Sequence, residues 1–223
     1  MKIAALACDY DRTVTTESLE PSQAALDALA KVRNQVKLLL VTGRRLQDLA
    51  PRVLEVFHLL VIENGAILYA PGQGVIKAFS PREWRTIKGL VVERVGDPTM
   101  EIGEVVVSLN VGYKPRVEAL LLEAGLEQLA HLEVNRDRVM VLPRGVDKEH
   151  GLREALKILN VPPTQTACIG DGENDIKLFK VAGFKVAVAN AVPELKELAD
   201  YICERPNGLG VREFVEKFIA AKH

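Results

Sequence analysis

The sequence predicts an α/β fold, a doubly wound parallel sheet with a smaller α/β unit inserted into it. Short apolar runs of strand length alternate with helix-like segments in both end portions of the chain. That rhythm changes in the middle, where a hairpin pattern and a second strand-helix-strand set intervene. Three apolar runs end directly in polar, loop-forming segments: Asp9-Tyr10-Asp11-Arg12-Thr13, Val41-Thr42-Gly43-Arg44 and Gly170-Asp171-Gly172-Glu173-Asn174-Asp175. In an open parallel sheet such ends converge on one crevice.

Ile3 to Cys8 is continuously apolar, the pattern of a strand buried on both faces. Pro21 to Arg33 reads as a helix with proline in its first turn and Ala24, Ala25, Ala28, Leu29 and Val32 at helical spacing. Val36 to Val41 is the next strand, Leu46 to Phe57 an amphipathic helix, and Leu59 to Ile62 a third strand. Ala66 to Tyr69 and Val75 to Phe79 flank Pro71-Gly72-Gln73-Gly74 as a hairpin. A helix-like stretch after Pro81, a strand at 105–110, a helix at 115–123 and strands at 132–134 and 139–142 form the insertion. Lys148 to Leu159 resumes the first rhythm. Strands at 166–170 and 185–189, a helix near Leu195, a short strand at 201–203 and a terminal helix follow. The expected division is a core of 1–80 and 146–223 around a cap of 81–145.

A chain of 223 residues can bury a sizeable core. Its net charge of −1 supplies no electrostatic reason to bind nucleic acid or an anionic membrane. No apolar run reaches the roughly 18 residues of a membrane helix. Cys8, Cys168 and Cys203 lie in or at the end of apolar runs without paired spacing, which reads as reduced core thiols in a cytoplasmic protein.

The polar segments carry the chemistry. Asp9 and Asp11 close the first strand, where alternation would send both side chains to one side. Two adjacent carboxylates repel each other, and bound Mg²⁺, which takes hard oxygen ligands, relieves that. A carboxylate can attack phosphorus, and a second one nearby can protonate the leaving oxygen and activate water. An Asp pair that merely caps a strand and turn fits the same residues. Thr42 beside Gly43 offers a hydroxyl and amides to a phosphate oxygen, although such a pair is often only a turn. Asp171 and Asp175, four apart, are expected on one helix face, where the helix dipole alone would favour an acid. With Asn174 and Glu173 between them they look more like a metal site. Lys148 opens a helix-like run. A lone lysine is usually solvated, but four carboxylates and a phosphate in one cleft need a further cation. Arg44, Arg45 and Arg144 are additional cations expected near the mouth.

In this order, Asp-x-Asp-x-Thr, strand-ending Thr-Gly, a downstream Lys and Gly-Asp-Gly-x-Asn-Asp resemble the haloacid dehalogenase superfamily of phosphatases, and within it the Cof-like branch with an inserted α/β cap. Glu63-Asn64-Gly65-Ala66 and Val186-Ala187-Val188-Ala189-Asn190-Ala191 are lesser matches. The resemblance implies Asp9 as nucleophile and Asp11 as general acid/base. It implies Mg²⁺ held by the Asp9 and Asp171 carboxylates and the Asp11 carbonyl, with Asp175 orienting the metal's shell. Thr42 and Lys148 would hold the phosphoryl group, and Asn174 would assist. Gly43 and Arg44 are further substrate-binding candidates, and Arg44, Arg45 or Arg144 could meet a second anionic group such as a substrate carboxylate. The family usually has glycine where this chain has Arg12, which bears on the local turn. His150, after Lys148, is expected on the surface.

The function this implies is hydrolysis of a small phosphorylated metabolite, phosphoglycolate or a sugar phosphate, through an aspartyl phosphate, by a monomer or homodimer. A phosphomutase or phosphotransferase would use the same residues. A non-catalytic phosphate sensor would have no use for Asp11. No Gly-x-Gly-x-x-Gly follows the first strand, which excludes a dinucleotide-binding fold.

Overall fold

The computed structural model describes residues 2–220. Two sheets organise it. The larger is built from β1 (Ala5–Asp9), β2 (Lys37–Val41), β3 (Leu59–Ile62), β4 (Ile67–Ala70) and β5 (Gly74–Ala78), and from three strands late in the chain. Helices α1 (Gln23–Val32) and α2 (Pro51–Val56) connect the first three strands. Between β5 and the return to this sheet the chain forms α3 (Trp84–Val95), β6 (Glu101–Ile102), β7 (Val107–Asn110), α4 (Lys114–Glu123), β8 (Ala130–Asn135) and β9 (Arg138–Pro143). It then continues through α5 (Lys148–Leu159), β10 (Thr166–Gly170), α6 (Ile176–Phe179), β11 (Phe184–Ala187), α7 (Pro193–Leu198), β12 (Tyr201–Ile202) and α8 (Asn207–Phe218).

The large sheet has the order β12-β11-β10-β1-β2-β3-β4-β5, parallel from β12 to β3 and antiparallel at β4 and β5. The chain winds outward from β1 through β2 and β3. It later crosses back to lay β10 on the other flank of β1. That reversal is a topological switch point, and the crevice lies beyond the carboxyl ends of β1, β2 and β10. Register brings the polar segments level: Asp9 pairs with Val41, and Cys8 with Ile169. Thr42 therefore starts one residue beyond Asp9's partner. Every residue of β1 and β10 is buried, as continuous apolar runs require in a sheet covered on both faces. The second sheet, in the order β6-β7-β9-β8, is antiparallel, and with α3 and α4 it occupies residues 84–143.

Two glycines bring α5 onto the large sheet. Gly65 has φ +99, and a Cβ there would lie 2.0 Å from the Asp147 carbonyl oxygen. A Cβ on Gly151 would lie 2.5 Å from Val61 Cγ1. Only bare backbone permits this approach, which carries the N-terminus of α5 over the crevice. The Asp147 carboxylate caps the helix by accepting the His150 N–H at 2.8 Å.

Some local expectations differ. The helix expected over 46–57 is a short turn at Leu46–Asp48 followed by α2, because Pro51 pushes Ala50 to ψ 141 and starts a new helix. Pro21 lies outside α1, which Ser22 caps through the Ala25 N–H at 3.4 Å. β6, two residues long, gives no periodicity to read. His150 is not simply on the surface: its ring packs edge-on against Phe79, centroids 4.4 Å apart. All three cysteines are free and buried, and burial pushes the Cys203 thiol up to about 12. Among the described residues no helix is long and apolar enough to cross a membrane.

Candidate active site

β1 ends at Asp9, and the chain leaves the sheet in a wide turn closed by the Thr15 N–H donating to the Tyr10 carbonyl at 3.0 Å. Strand alternation therefore does not reach Asp11. The two aspartates line one cavity because of this turn, with Asp9 only 5% exposed and the Asp11 side chain 40% exposed. Arg12 holds the turn with φ 59, in the left-handed region that a glycine would occupy without strain. Its N–H donates to Thr15 Oγ1 at 2.7 Å, and its carbonyl accepts from Asn190 Nδ2 at 3.0 Å.

At the end of β10, Asp171 and Asp175 do not share a helix face. The chain turns at Gly172, and Asp175 folds back so that Oδ2 accepts the N–H groups of Asp171 and Gly172, both at 3.0 Å. Thr13 Oγ1 donates to Asp171 Oδ1 at 3.4 Å, tying the first and last segments together.

Lys148, 1% exposed, lies between the two. Its Nζ donates to Asp9 Oδ1 at 2.7 Å and to Asp175 Oδ1 at 2.8 Å. Burial alone would lower this ammonium's pKa, but Asp175 and Asp9 outweigh it and hold it above its ordinary value. Asp9 is nonetheless pushed well up, by burial first and then by Asp175, with Lys148 opposing and Asp171 adding to the rise. Asp171 is raised to about 6 by burial and by Asp175.

Each of Asp9, Asp171 and Asp175 presents a carboxylate oxygen within 4.8 Å of the others, all buried. This donor set suits a hard divalent cation. Asp175 has both oxygens occupied by hydrogen bonds, whereas Asp9 Oδ2 accepts from no donor among the described residues. Asp9 thus keeps one oxygen free of donors, Asp171 accepts only the long Thr13 bond and faces Arg136, and Asp175 is spent on Lys148 and the turn.

These groups floor a cavity of about 610 Å³ whose opposite wall is the second sheet, including Ser108, Arg136 and Met140. Gly43 and Asn174 line it. Thr42 is buried behind the lining, its Oγ1 accepting the Arg44 N–H at 3.1 Å, which leaves the hydroxyl proton available. Arg44, expected on the substrate, grips the Asp11 carboxylate with Nε at 3.0 Å and Nη2 at 2.6 Å. Arg45 pairs with Asp48 at 2.7 Å. Arg144 is directed elsewhere, to the carbonyls of Gln128 and Glu127.

The roles of two groups of site residues escape the sequence, in which Glu63 stands only within a lesser motif match. Glu63, buried and with φ 48, accepts the N–H groups of Glu104, Val105 and Val106 at 2.7, 2.8 and 2.8 Å, fastening the second sheet to the first. Glu133 on β8 meets Lys177 and Asn64 in the same seam. Arg136, at the tip of the β8–β9 hairpin, has Nη2 3.5 Å from Asp171 Oδ2. The polar run Asn135-Arg136-Asp137 marks a turn, but nothing local to it indicates where its tip arrives.

Comparison with known proteins agrees with this geometry. A family model described as haloacid dehalogenase-like hydrolase matches residues 97–215. Phosphoglycolate phosphatase 2 of Saccharolobus solfataricus is 32% identical over 96% of this chain and 92% of its own. Phosphoglycolate phosphatase of Sulfurisphaera tokodaii is 31% identical over 95% and 92%. A haloacid dehalogenase-like hydrolase from Bacteroides thetaiotaomicron superposes with a TM-score of 0.79 at 21% identity, covering 98% of this chain and 100% of that one. A switch-point crevice floored by carboxylates and full-length likeness to phosphatases lead to one assignment: this chain belongs to the haloacid dehalogenase-like hydrolases, and it is a phosphatase.

Proposed function

We propose that the chain hydrolyses a small phosphorylated metabolite, phosphoglycolate or a sugar phosphate, through an aspartyl phosphate formed on Asp9 and with Mg²⁺ as cofactor. The observation that carries this reading is the Asp9 carboxylate: it is fixed by Lys148 through Oδ1, while Oδ2 is left without a donor at the floor of the cavity. An oxygen held this way has its direction set and a lone pair available to attack phosphorus.

The other residues divide the work around that step. Thr42 and the Gly43 backbone offer donors to the phosphoryl oxygens, and Asn174, which lines the same cavity, assists. Asp11 protonates the departing oxygen and then takes the proton from the water that cleaves the acyl phosphate. Arg44 holds Asp11 in place through its two nitrogens. A cation bound by Asp9, Asp171 and the Asp11 carbonyl would neutralise charge on the transferring group. The inserted unit, residues 81–145, acts as the cap that limits the cavity to small substrates and excludes water. A phosphotransferase would use the same groups, and free orthophosphate as sole phosphoryl product distinguishes hydrolysis from transfer. The three buried thiols fit a reducing cytoplasm.

The role of Asp11 is tested with Asp11→Asn on two substrates. On an alkyl phosphate the variant should lose about 10²–10⁴-fold in kcat, the usual worth of general acid/base catalysis. On an aryl phosphate, whose leaving group needs no proton, the loss should be clearly smaller. Equal losses on both would remove Asp11 from this role.

The metal is tested by thermal unfolding of metal-free protein. Asp171 sits at about 6 in the fold against an ordinary value of 3.8. A raised value means its stabilising contribution is present below the ordinary value and is lost as pH rises through 6. Mg²⁺ binds the ionised carboxylates and restores what their repulsion removes. At about 100 times its Kd it should raise Tm by roughly 5–10 °C at pH 8. At pH 5, where protons compete, the rise should be much smaller. Equal shifts at both pH values would contradict the assignment.

A further inference from the structure

Backbone strain in this protein is concentrated at the cavity. Seven non-glycine residues among those described have positive φ, and three of them are asparagines, which tolerate that region. The other four, Arg12, Leu19, Glu63 and Arg136, all line the cavity. Strained residues persist where the surroundings hold them, and they gather at ligand clamps. Glu63 is accounted for by its three backbone hydrogen bonds, and Leu19 has no polar group to offer. Two arginines remain.

The cavity's cations separate along the same line. Arg44 is held by Asp11, Arg45 by Asp48, and Lys148 by Asp9 and Asp175. Arg138 donates to Ser108 Oγ and the Thr99 carbonyl, both at 3.0 Å. The guanidinium groups of Arg12 and Arg136 make no hydrogen bond among the described residues. Arg12 Nε is buried with no partner at all, a costly state for a charged donor unless a ligand completes it. Arg136 has only the 3.5 Å approach to Asp171, on a side chain 48% exposed. The two line the same cavity, Arg136 beside Asp171 and Arg12 in the turn whose next residue, Thr13, donates to that aspartate.

We propose that Arg12 and Arg136 form a subsite for a second anionic group of the substrate, a carboxylate at the end remote from the phosphoryl group. This rests on the phosphomonoester hydrolase reading of the same cavity. Guanidinium forks match carboxylate geometry, and neither of these donates a hydrogen bond among the described residues; Arg136 has only its half-exposed ion pair with Asp171. One arginine comes from the turn after β1 and the other from the inserted unit, so a doubly anionic substrate is gripped by both and a neutral sugar end by neither. The subsite therefore selects small phosphorylated carboxylic acids over sugar phosphates. Arg12 stands where the resemblance leads one to expect glycine.

The test compares 2-phosphoglycolate with ethyl phosphate, which has the same phosphoryl end and no carboxylate. Arg12→Gly and Arg136→Asn remove the charge with residues that accept positive φ, so neither should fold less well than the parent. The parent should prefer 2-phosphoglycolate. Each variant should lower the ratio of the two kcat/KM values by about 10- to 100-fold, the usual worth of a charged hydrogen bond, mainly through KM. A parent without that preference, or variants that lose both substrates equally, would overturn the subsite while leaving the phosphatase chemistry intact. Asp9→Asn serves as the control for that chemistry. If it still turns over either substrate, the aspartyl phosphate fails, and the substrate ratio still decides the subsite.

Discussion

Asp9→Asn is expected to lose turnover by about 10³-fold or more on every phosphomonoester while gaining, or at least keeping, thermal stability. The two halves have one cause. The amide keeps the shape and an acceptor for Lys148 but cannot attack phosphorus. It also removes one of three buried carboxylates that share a single ammonium. Asp9 is pushed up by burial and by Asp175 and Asp171, so its charged form opposes folding in metal-free protein at neutral pH. Relief of that repulsion should show as an unchanged or higher Tm without Mg²⁺. The stabilisation by Mg²⁺ should largely vanish, since the variant offers one carboxylate fewer. Substantial activity would refute the covalent step. A sharp fall in Tm would mean that Asp9 is held for structure and not against it.

The contrast between what the sequence reveals and what it hides is physical. Continuous apolar runs such as 3–8 and 166–170 can only be strands covered on both faces, and the polar segments at their ends then have one place to go. Lys148 was weak as a lone residue and is decisive in space, because Gly65 and Gly151 let α5 approach until its ammonium reaches Asp9 across 139 positions of sequence. Spacing misled where a turn replaced regular structure. Asp171 and Asp175 meet through a fold-back at Gly172, and Asp9 and Asp11 through a wide turn, neither of which follows helical or strand periodicity. Pairings between surface-looking charges, Arg44 with Asp11 or Arg136 with Asp171, depend on tertiary placement and leave no local pattern. Glu63 was hidden for another reason. A buried glutamate is legible only once the three amides it serves, some 40 residues away, are beside it.

Lys148→Met should cost about 3–5 kcal/mol of stability in metal-free protein near neutral pH, the range for removing one partner from a buried ion pair. Methionine fills much of the same volume, so the loss reports charge and not a cavity. Without the ammonium, Asp9 and Asp175 face each other with no cation between them, and Asp171 is close by. Acidification should shrink the deficit. Asp9 already has a raised pKa, and loss of Lys148, which opposes that rise, pushes it higher, so a proton takes the place of the missing charge as pH falls. Adding Asp9→Asn to the methionine variant should restore part of the loss, because one of the two stranded carboxylates is then neutral. A coupling of more than about 1 kcal/mol in that double-mutant cycle is expected for groups in direct contact. Activity should fall as well, since nothing then fixes Asp9 Oδ1 or offsets the charge of the arriving phosphoryl group. An unchanged Tm, or full additivity of the two substitutions, would show that Lys148 does not neutralise this cluster, and the electrostatic account of the site would fall with it.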